Sequence, residues 1–225
     1  MKGKFFAVGV GPGDPSLLTL KAIETIEKSD KIVLPDSGAA ENIALKITEK
    51  YIGDRDIIYV SMPMTKDRAV LDENHEQAAE LIAGFLDEGL RVSFLTLGDP
   101  SIYSTVMYVH RKLTKRGYET GIIPGITSFC AAAASLNCSL CEREEMLHII
   151  PATFRPEMID ELEGTKVLMK SGKTILDIKE RLSDRKAMMV ERASMANERV
   201  YKDLNELEEQ PAYFSLIVIP SEGRE

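Results

Sequence analysis

The stretch GVGPGDPSLLTL, residues 9–20, follows the apolar run KFFAV, and its tetrapeptide GDPS (13–16) returns unchanged at 98–101 inside FLTLGDPSIYST. In each copy Asp suits a helix N-cap, because its carboxylate accepts orphan backbone N–H groups. Pro suits the first helical position, where no N–H is needed. Gly13 and Gly98 are placed to allow a sharp exit from a strand. Both copies therefore predict one local form: strand, tight turn, capped helix. That is the repeating unit of a parallel α/β sheet, and the rest of the chain can be read outward from these two loops.

Short β-rich apolar runs predict strands at Lys4–Val10, Lys31–Leu34, Asp56–Val60 and Arg91–Leu97, with helices near 15–28, 40–50, 72–88 and 101–115 between and after them. Arg116-Gly117 reads as a helix C-cap and, with it, a change of domain. Beyond it strands become more frequent, near 119–123, 145–150, 165–169, 186–190, 198–202 and 213–219, and helices are expected near 126–136, 157–161 and 174–182. The expected class is α/β: an N-terminal domain (1–117) with a mainly parallel sheet, a C-terminal domain (118–225) with a mixed sheet, and a cleft between them. The flanks of the two GDPS copies share little else, so the repeat is loop chemistry and not a duplicated domain.

Composition narrows the function. The chain has 225 residues, 44% of them hydrophobic and 28% charged, with a formal net charge of -8. An acidic chain is a poor match for nucleic acid, whose binders cluster Lys and Arg against phosphates. No apolar run approaches the roughly 20 residues that span a bilayer, and no secretory signal is apparent, so a cytoplasmic protein without membrane partners is expected. The three cysteines, Cys130, Cys138 and Cys141, are an odd set that suits a reducing compartment. Cys138-x-x-Cys141 has no second pair, and His75, His110 and His148 are scattered, so no metal site is expected.

Two ligands compete for the first loop. A dinucleotide fingerprint offers backbone N–H groups to a pyrophosphate, and Asp36 after the second strand could mimic its ribose-binding acid. Yet Pro12 removes one N–H, and Asp14 puts a carboxylate where phosphate charge would sit. Such a loop still presents carbonyl oxygens, which suit a cationic ligand rich in hydroxyl and amino donors. S-adenosylmethionine is one.

GVGPGDPSLLTLKA, TLGDPSIYST, IIPGITSFCAAAA and FSLIVIP together, in this order, resemble the class III tetrapyrrole methyltransferases of cobalamin and sirohaem synthesis. LGDPSIYST followed by Met107-Tyr108 is most similar to the branch that methylates C20 of precorrin-2 or its cobalt-containing counterpart. Leu97 stands where most other branches have Gly. The resemblance implies S-adenosylmethionine as methyl donor, a small-molecule tetrapyrrole as substrate and a homodimer. It also implies that the donor is bound by Pro12, by Leu97, Gly98, Asp99 and Ile102, by Thr127 and Ser128, by Met169 at the end of TKVLMK, and by Ala193 in VERAS. Of Tyr103 and Tyr108, only one can join Ile102 at the site, and Tyr103 is the better placed. No residue is identified as the acceptor of the proton lost on methylation.

The alternatives are methylation at another position of a corrin or sirohaem precursor and, in a different class, a non-catalytic cofactor or tetrapyrrole carrier. Because the chain is acidic and a tetrapyrrole of this stage carries acetate and propionate groups, a local basic trough is expected from Lys66 and Arg68 or from Arg111 and Lys112.

Overall fold

The alternating runs form two units, Met1–Thr127 and Ser128–Glu225, in a computed structural model that describes residues 2–38, 41–151, 157–170 and 175–221. The first unit contains β1 (Lys4–Gly9), α1 (Leu20–Glu27), β2 (Lys31–Asp36), α2 (Ile43–Ile52), β3 (Asp56–Ser61), α3 (Arg68–Asp87), β4 (Arg91–Thr96), α4 (Val106–Lys115) and β5 (Glu119–Ile123). Its sheet has the order β3-β2-β4-β1-β5 and every pairing is parallel. Period-two alternation divides β1 and β4 between two cores. Phe5, Ala7, Val92 and Phe94 pack with α3 and α4, whereas Val8 and Leu95 pack with α1 and α2 on the opposite face.

This order puts the functional loops together. From β1 the chain leaves to α1 on one face, and from neighbouring β4 it leaves to α4 on the other. The carboxyl ends of β1 and β4 thus flank a topological switch point, where open α/β sheets bind ligands.

The second unit contains α5 (Ser128–Leu136), β6 (Leu147–Pro151), α6 (Met158–Glu161), β7 (Thr165–Met169), α7 (Ile175–Arg181), β8 (Met188–Glu191), β9 (Arg199–Tyr201) and β10 (Ser215–Ile219). Its sheet is mixed, in the order β6-β7-β10-β8-β9, with only β6 and β7 parallel. Helix α5 covers one face through Ala131, Ala132 and Leu136, and α6 and α7 cover the other through Ile159, Ile175, Ile178 and Leu182.

Three expectations need correction. The unit boundary falls after Thr127 and not after Gly117, because β5 hydrogen-bonds along β1 from Lys4↔Glu119 to Val8↔Ile123. Gly117, with φ +81°, does cap α4, but it begins an ordinary return to the same sheet. The helix expected at 15–28 is interrupted: Asp14 caps a single 3₁₀ turn, Pro15–Leu17, and Thr19 caps α1 by accepting from the Ala22 amide at 3.1 Å. The helix expected at 101–115 begins only at Val106, after a turn through Ser101–Tyr103. The expected helix starts at residues 40 and 174 lie outside the described residues.

Helices α3 and α4 enclose a histidine that makes stability depend on pH. His75 is 4% exposed, its ring stacks on Tyr108 at 4.7 Å, and its Nε2 has no partner among the described residues. Burial holds its pKa below the ordinary 6.5; Lys112 and Arg111 push the same way and Asp72 opposes them. The unfolded chain therefore binds the proton more readily. The stabilisation is complete above pH 6.5 and is lost as pH falls from there toward the lowered folded value. Denaturant unfolding between about pH 5 and 7 should show stability rising with pH, with His75 contributing a slope of up to about 1.4 kcal/mol per pH unit. His75→Phe, which keeps the stack, should reduce the slope, the remainder coming from His110, whose pKa burial lowers in the same way; an unchanged slope would assign it to other groups.

Candidate active site

Three loops meet at the carboxyl ends of β1, β4 and β5, and glycine backbones are what let them meet. The Gly98 amide donates to the Gly11 carbonyl at 2.7 Å and the Gly11 amide donates back to the Gly98 carbonyl at 3.2 Å, so the two GDPS loops form a one-residue antiparallel bridge. A Cβ at Gly9 would lie 2.7 Å from both the Gly98 oxygen and the Gly125 nitrogen, and one at Gly125 would fall onto the same oxygen. Gly11 and Gly98 take φ of +79° and +71°. The sharp exit in the first loop is thus made by Gly11, not by Gly13.

The two GDPS aspartates do different work. Asp14 closes its own turn, accepting from the Ser16 amide at 2.7 Å; that bond, with a second from the Ser16 side chain, holds its carboxyl below the usual range. Asp99 spans two loops. One oxygen accepts from the Ser101 amide at 2.8 Å and from its hydroxyl, while the other accepts from the Gly125 amide at 2.9 Å. Thr19 adds a link from the first loop to the third, its hydroxyl donating to the Pro124 carbonyl at 3.4 Å.

These bonds leave few donors for a phosphate. The amides of Val10, Gly11, Ser16, Leu17 and Leu18 in the first loop, of Gly98, Ser101 and Ile102 in the second, and of Gly125 in the third all donate to protein acceptors. Pro12 and Pro15 have none to offer. Asp36, the candidate ribose acid, accepts from the Gly38 amide at 2.9 Å. The dinucleotide alternative therefore loses the row of free N–H groups it requires.

Of the expected site residues in the first unit, Pro12, Leu97, Gly98 and Asp99 come together at this junction. Pro12 is buried and Leu97 packs partly against the core beneath. A side chain at Gly98 would meet nothing within 4 Å, so the loop faces open space there. Ile102 is half-buried on the following turn, and Tyr103 is 46% exposed with a left-handed φ of +48°. The Thr127 hydroxyl is buried and has no partner among the described residues. In the second unit Ser128 opens α5, and Met169 and Ala193 lie on the sheet face that this helix covers. Ala193 is 6% exposed, so at most a small edge of it can touch a ligand.

Of the basic groups expected to form a trough, Lys66 and Arg68 are exposed and Arg111 keeps its charge, but Lys112 is taken up by neighbouring acids. Lys112 is held by Asp72 and Glu76, each at 2.8 Å, Arg116 pairs with Glu76, and Arg111 lies over the Tyr108 ring at 4.7 Å. The cysteines are free thiols. Among the described residues no helix is long and apolar enough to cross a membrane. Gly9, Gly11 and Gly125 are the residues that sequence reasoning passed over. Their contacts with distant loops have no local signature.

Residues 4–208 match the family described as Tetrapyrrole (Corrin/Porphyrin) Methylases. A probable cobalt-precorrin-2 C(20)-methyltransferase of Methanocaldococcus jannaschii is 39% identical over 96% of this chain and 95% of its own length. The cobalt-precorrin-2 C(20)-methyltransferase of Salmonella typhimurium is 28% identical over 97% of each chain. Among solved structures, a cobalt precorrin-4 methyltransferase superposes with a TM-score of 0.75, covering 96% of this chain and 94% of its own. At 20% identity it bears on the fold alone.

Removing the tolerance at the loop junction should be costly. Gly125→Ala should lower the unfolding free energy by about 1–3 kcal/mol, the usual range for overpacking, or more if the Gly98 carbonyl cannot move. Gly84→Ala, on α3 where a Cβ meets nothing within 4 Å, should be neutral or stabilising. Paired denaturant melts of equal midpoint would show that the loops have slack the geometry does not suggest.

Proposed function

The chain belongs to the tetrapyrrole (corrin/porphyrin) methylases, and on that premise we propose that it transfers a methyl group from S-adenosylmethionine to C20 of precorrin-2 or of its cobalt-containing counterpart. The position on the ring is supported by two relatives of that name aligned along nearly their full length. The methyl donor is supported by the loop junction, where nine backbone donors are taken up by protein acceptors and the buried Thr127 hydroxyl has no partner among the described residues. We read Pro12, Leu97–Asp99, Ile102, Tyr103 and Thr127, with Ser128, Met169 and Ala193 of the second unit, as the donor's surroundings.

S-adenosylmethionine brings a methyl group already activated by positive sulfur, and that charge disperses as the methyl leaves. A carboxylate fixed against sulfur would favour the ground state over the transition state and slow the step. Here both GDPS carboxylates are taken up by loop hydrogen bonds, Asp14 onto Ser16 of its own loop and Asp99 onto Ser101 and, in the third loop, Gly125. The loops thus hold shape without setting a bare anion at the reacting centre. Alignment of an electron-rich ring carbon with the methyl group is then the main contribution, worth about 7–11 kcal/mol in favourable intramolecular cases. The working form is read as a homodimer, which sedimentation at twice the chain mass would bear out.

The deciding experiment incubates the protein anaerobically with methyl-labelled S-adenosylmethionine and precorrin-2, with and without cobalt, and locates the new methyl by NMR. Label at C20 is expected; label at another carbon would reassign the position, and tight binding without transfer would favour a carrier. Thr127→Val should weaken donor binding about 5- to 10-fold, as the loss of one hydrogen bond does. It should leave the free protein as stable as before, because the hydroxyl has no partner among the described residues. Gly98→Arg should abolish donor binding, since its side chain enters the open space over the loop from a backbone at φ +71°. Calorimetry showing wild-type donor affinity in both variants would move the donor site elsewhere.

A further inference from the structure

Lys112 is paired to acids on α3, and besides the exposed Lys66 and Arg68 the second sheet presents further cations for the carboxylates of a tetrapyrrole. β7 and β8 both pair antiparallel with β10, one on each side, so they run parallel to each other and end at the same sheet edge. Register places Met169 opposite Leu216 and Glu191 opposite Ser215. The next residue on each strand is a cation, Lys170 after β7 and Arg192 after β8. Both have left-handed backbones, φ +60° and +54°. Two strand spacings separate them, roughly 10 Å.

Side chains disfavour this backbone conformation, and where it persists the surroundings must enforce it. Around Arg192 they do. Its amide donates to the Phe214 carbonyl at 2.6 Å and its carbonyl accepts from the Met195 amide at 2.9 Å. Ser194, itself at φ +63°, donates its amide to Glu198, which also accepts from the Ser135 hydroxyl at 2.9 Å. The buried Glu191 accepts from the Ala212 amide at 2.9 Å.

The side chain so held is half-buried, yet its guanidinium makes no hydrogen bond or ion pair among the described residues. Elsewhere in this unit, Arg181 and Arg185 share Asp160, and Arg199 approaches Glu191 at 3.9 Å. A glycine at position 192 would relieve the backbone. The chain instead keeps, on a hydrogen-bonded backbone at the carboxyl ends of β7 and β8, a planar cation with no partner among the described residues.

We propose that Arg192 is a substrate-recognition residue that grips one acetate or propionate carboxylate of the tetrapyrrole. The proposal rests on the tetrapyrrole reading above. A guanidinium fits a carboxylate through two parallel N–H bonds, so a bound carboxylate would fix orientation as well as add affinity.

Arg192→Gly separates the two roles of the position, because it removes the cation and at the same time suits the backbone. The variant should unfold at or above the wild-type denaturant midpoint and keep wild-type affinity for S-adenosylmethionine. Its affinity for precorrin-2, followed by absorbance under anaerobic conditions, should fall about 10- to 100-fold. Arg192→Lys should recover part of that loss, and tetrapyrrole binding should depend less on salt in Arg192→Gly than in the wild type. Wild-type tetrapyrrole affinity in Arg192→Gly would overturn the proposal. So would a loss of stability or of methyl-donor affinity matching the loss for precorrin-2, since Arg192 would then be structural. A wild-type protein that binds no precorrin-2 removes the functional reading and this inference together, and shows itself before any variant is compared.

Discussion

The Gly98 carbonyl oxygen occupies the space where Gly9 and Gly125 would carry side chains. Everything the first unit offers a ligand depends on that approach. Because three strand ends can close on one oxygen, the Gly11–Gly98 bridge can form and Asp99 can reach the Gly125 amide. Those bonds fix the height and direction of all three loops above the switch point of the sheet. A methyl group at either glycine would hold the loops apart, and the donors now satisfied would be free again.

That closure also sets the chemistry. Phosphate sites at helix N-termini work by leaving backbone N–H groups open and aimed at the ligand. Here the same strand-loop-helix unit does the reverse: its amides are engaged, two prolines interrupt the row, and each acid is turned back on its own or a neighbouring loop. The difference from a phosphate site lies in which hydrogen bonds the loops make among themselves.

Much of this was legible in sequence because it is local. Strands β1 to β4 announced themselves by short β-branched and aromatic runs, TKVLMK marked β7 with both ends correct, and Asp14 was readable as a cap. The two GDPS copies misled where distance mattered. Identical residues predict identical turns, but Asp14 stays within its turn whereas Asp99 is drawn to a residue 26 positions away. The strand at 119–123 was found where expected but allotted to the wrong unit for the same reason: a capping glycine looks alike at a domain boundary and at a return to the same sheet. Lys112 read as an available cation because Asp72 and Glu76, 40 and 36 residues earlier, meet it only once α3 packs on α4. The strained backbone at Lys170 and Arg192 has no sequence signature at all, since neither is a glycine.

The place of β10 in its sheet has a consequence for how the chain is born. It is the middle strand, yet it is the last of the ten to be synthesised. On the ribosome the first sheet has all its strands once residue 123 has emerged. The second cannot join its β6–β7 pair to its β8–β9 pair until Ser215–Ile219 arrives to sit between them. Until then two apolar strand edges wait side by side without a partner, the kind of exposure that invites mispairing. The first unit is thus free to fold well before the second. Substitutions in SLIVI should act on yield and aggregation during synthesis as much as on the stability of the finished protein.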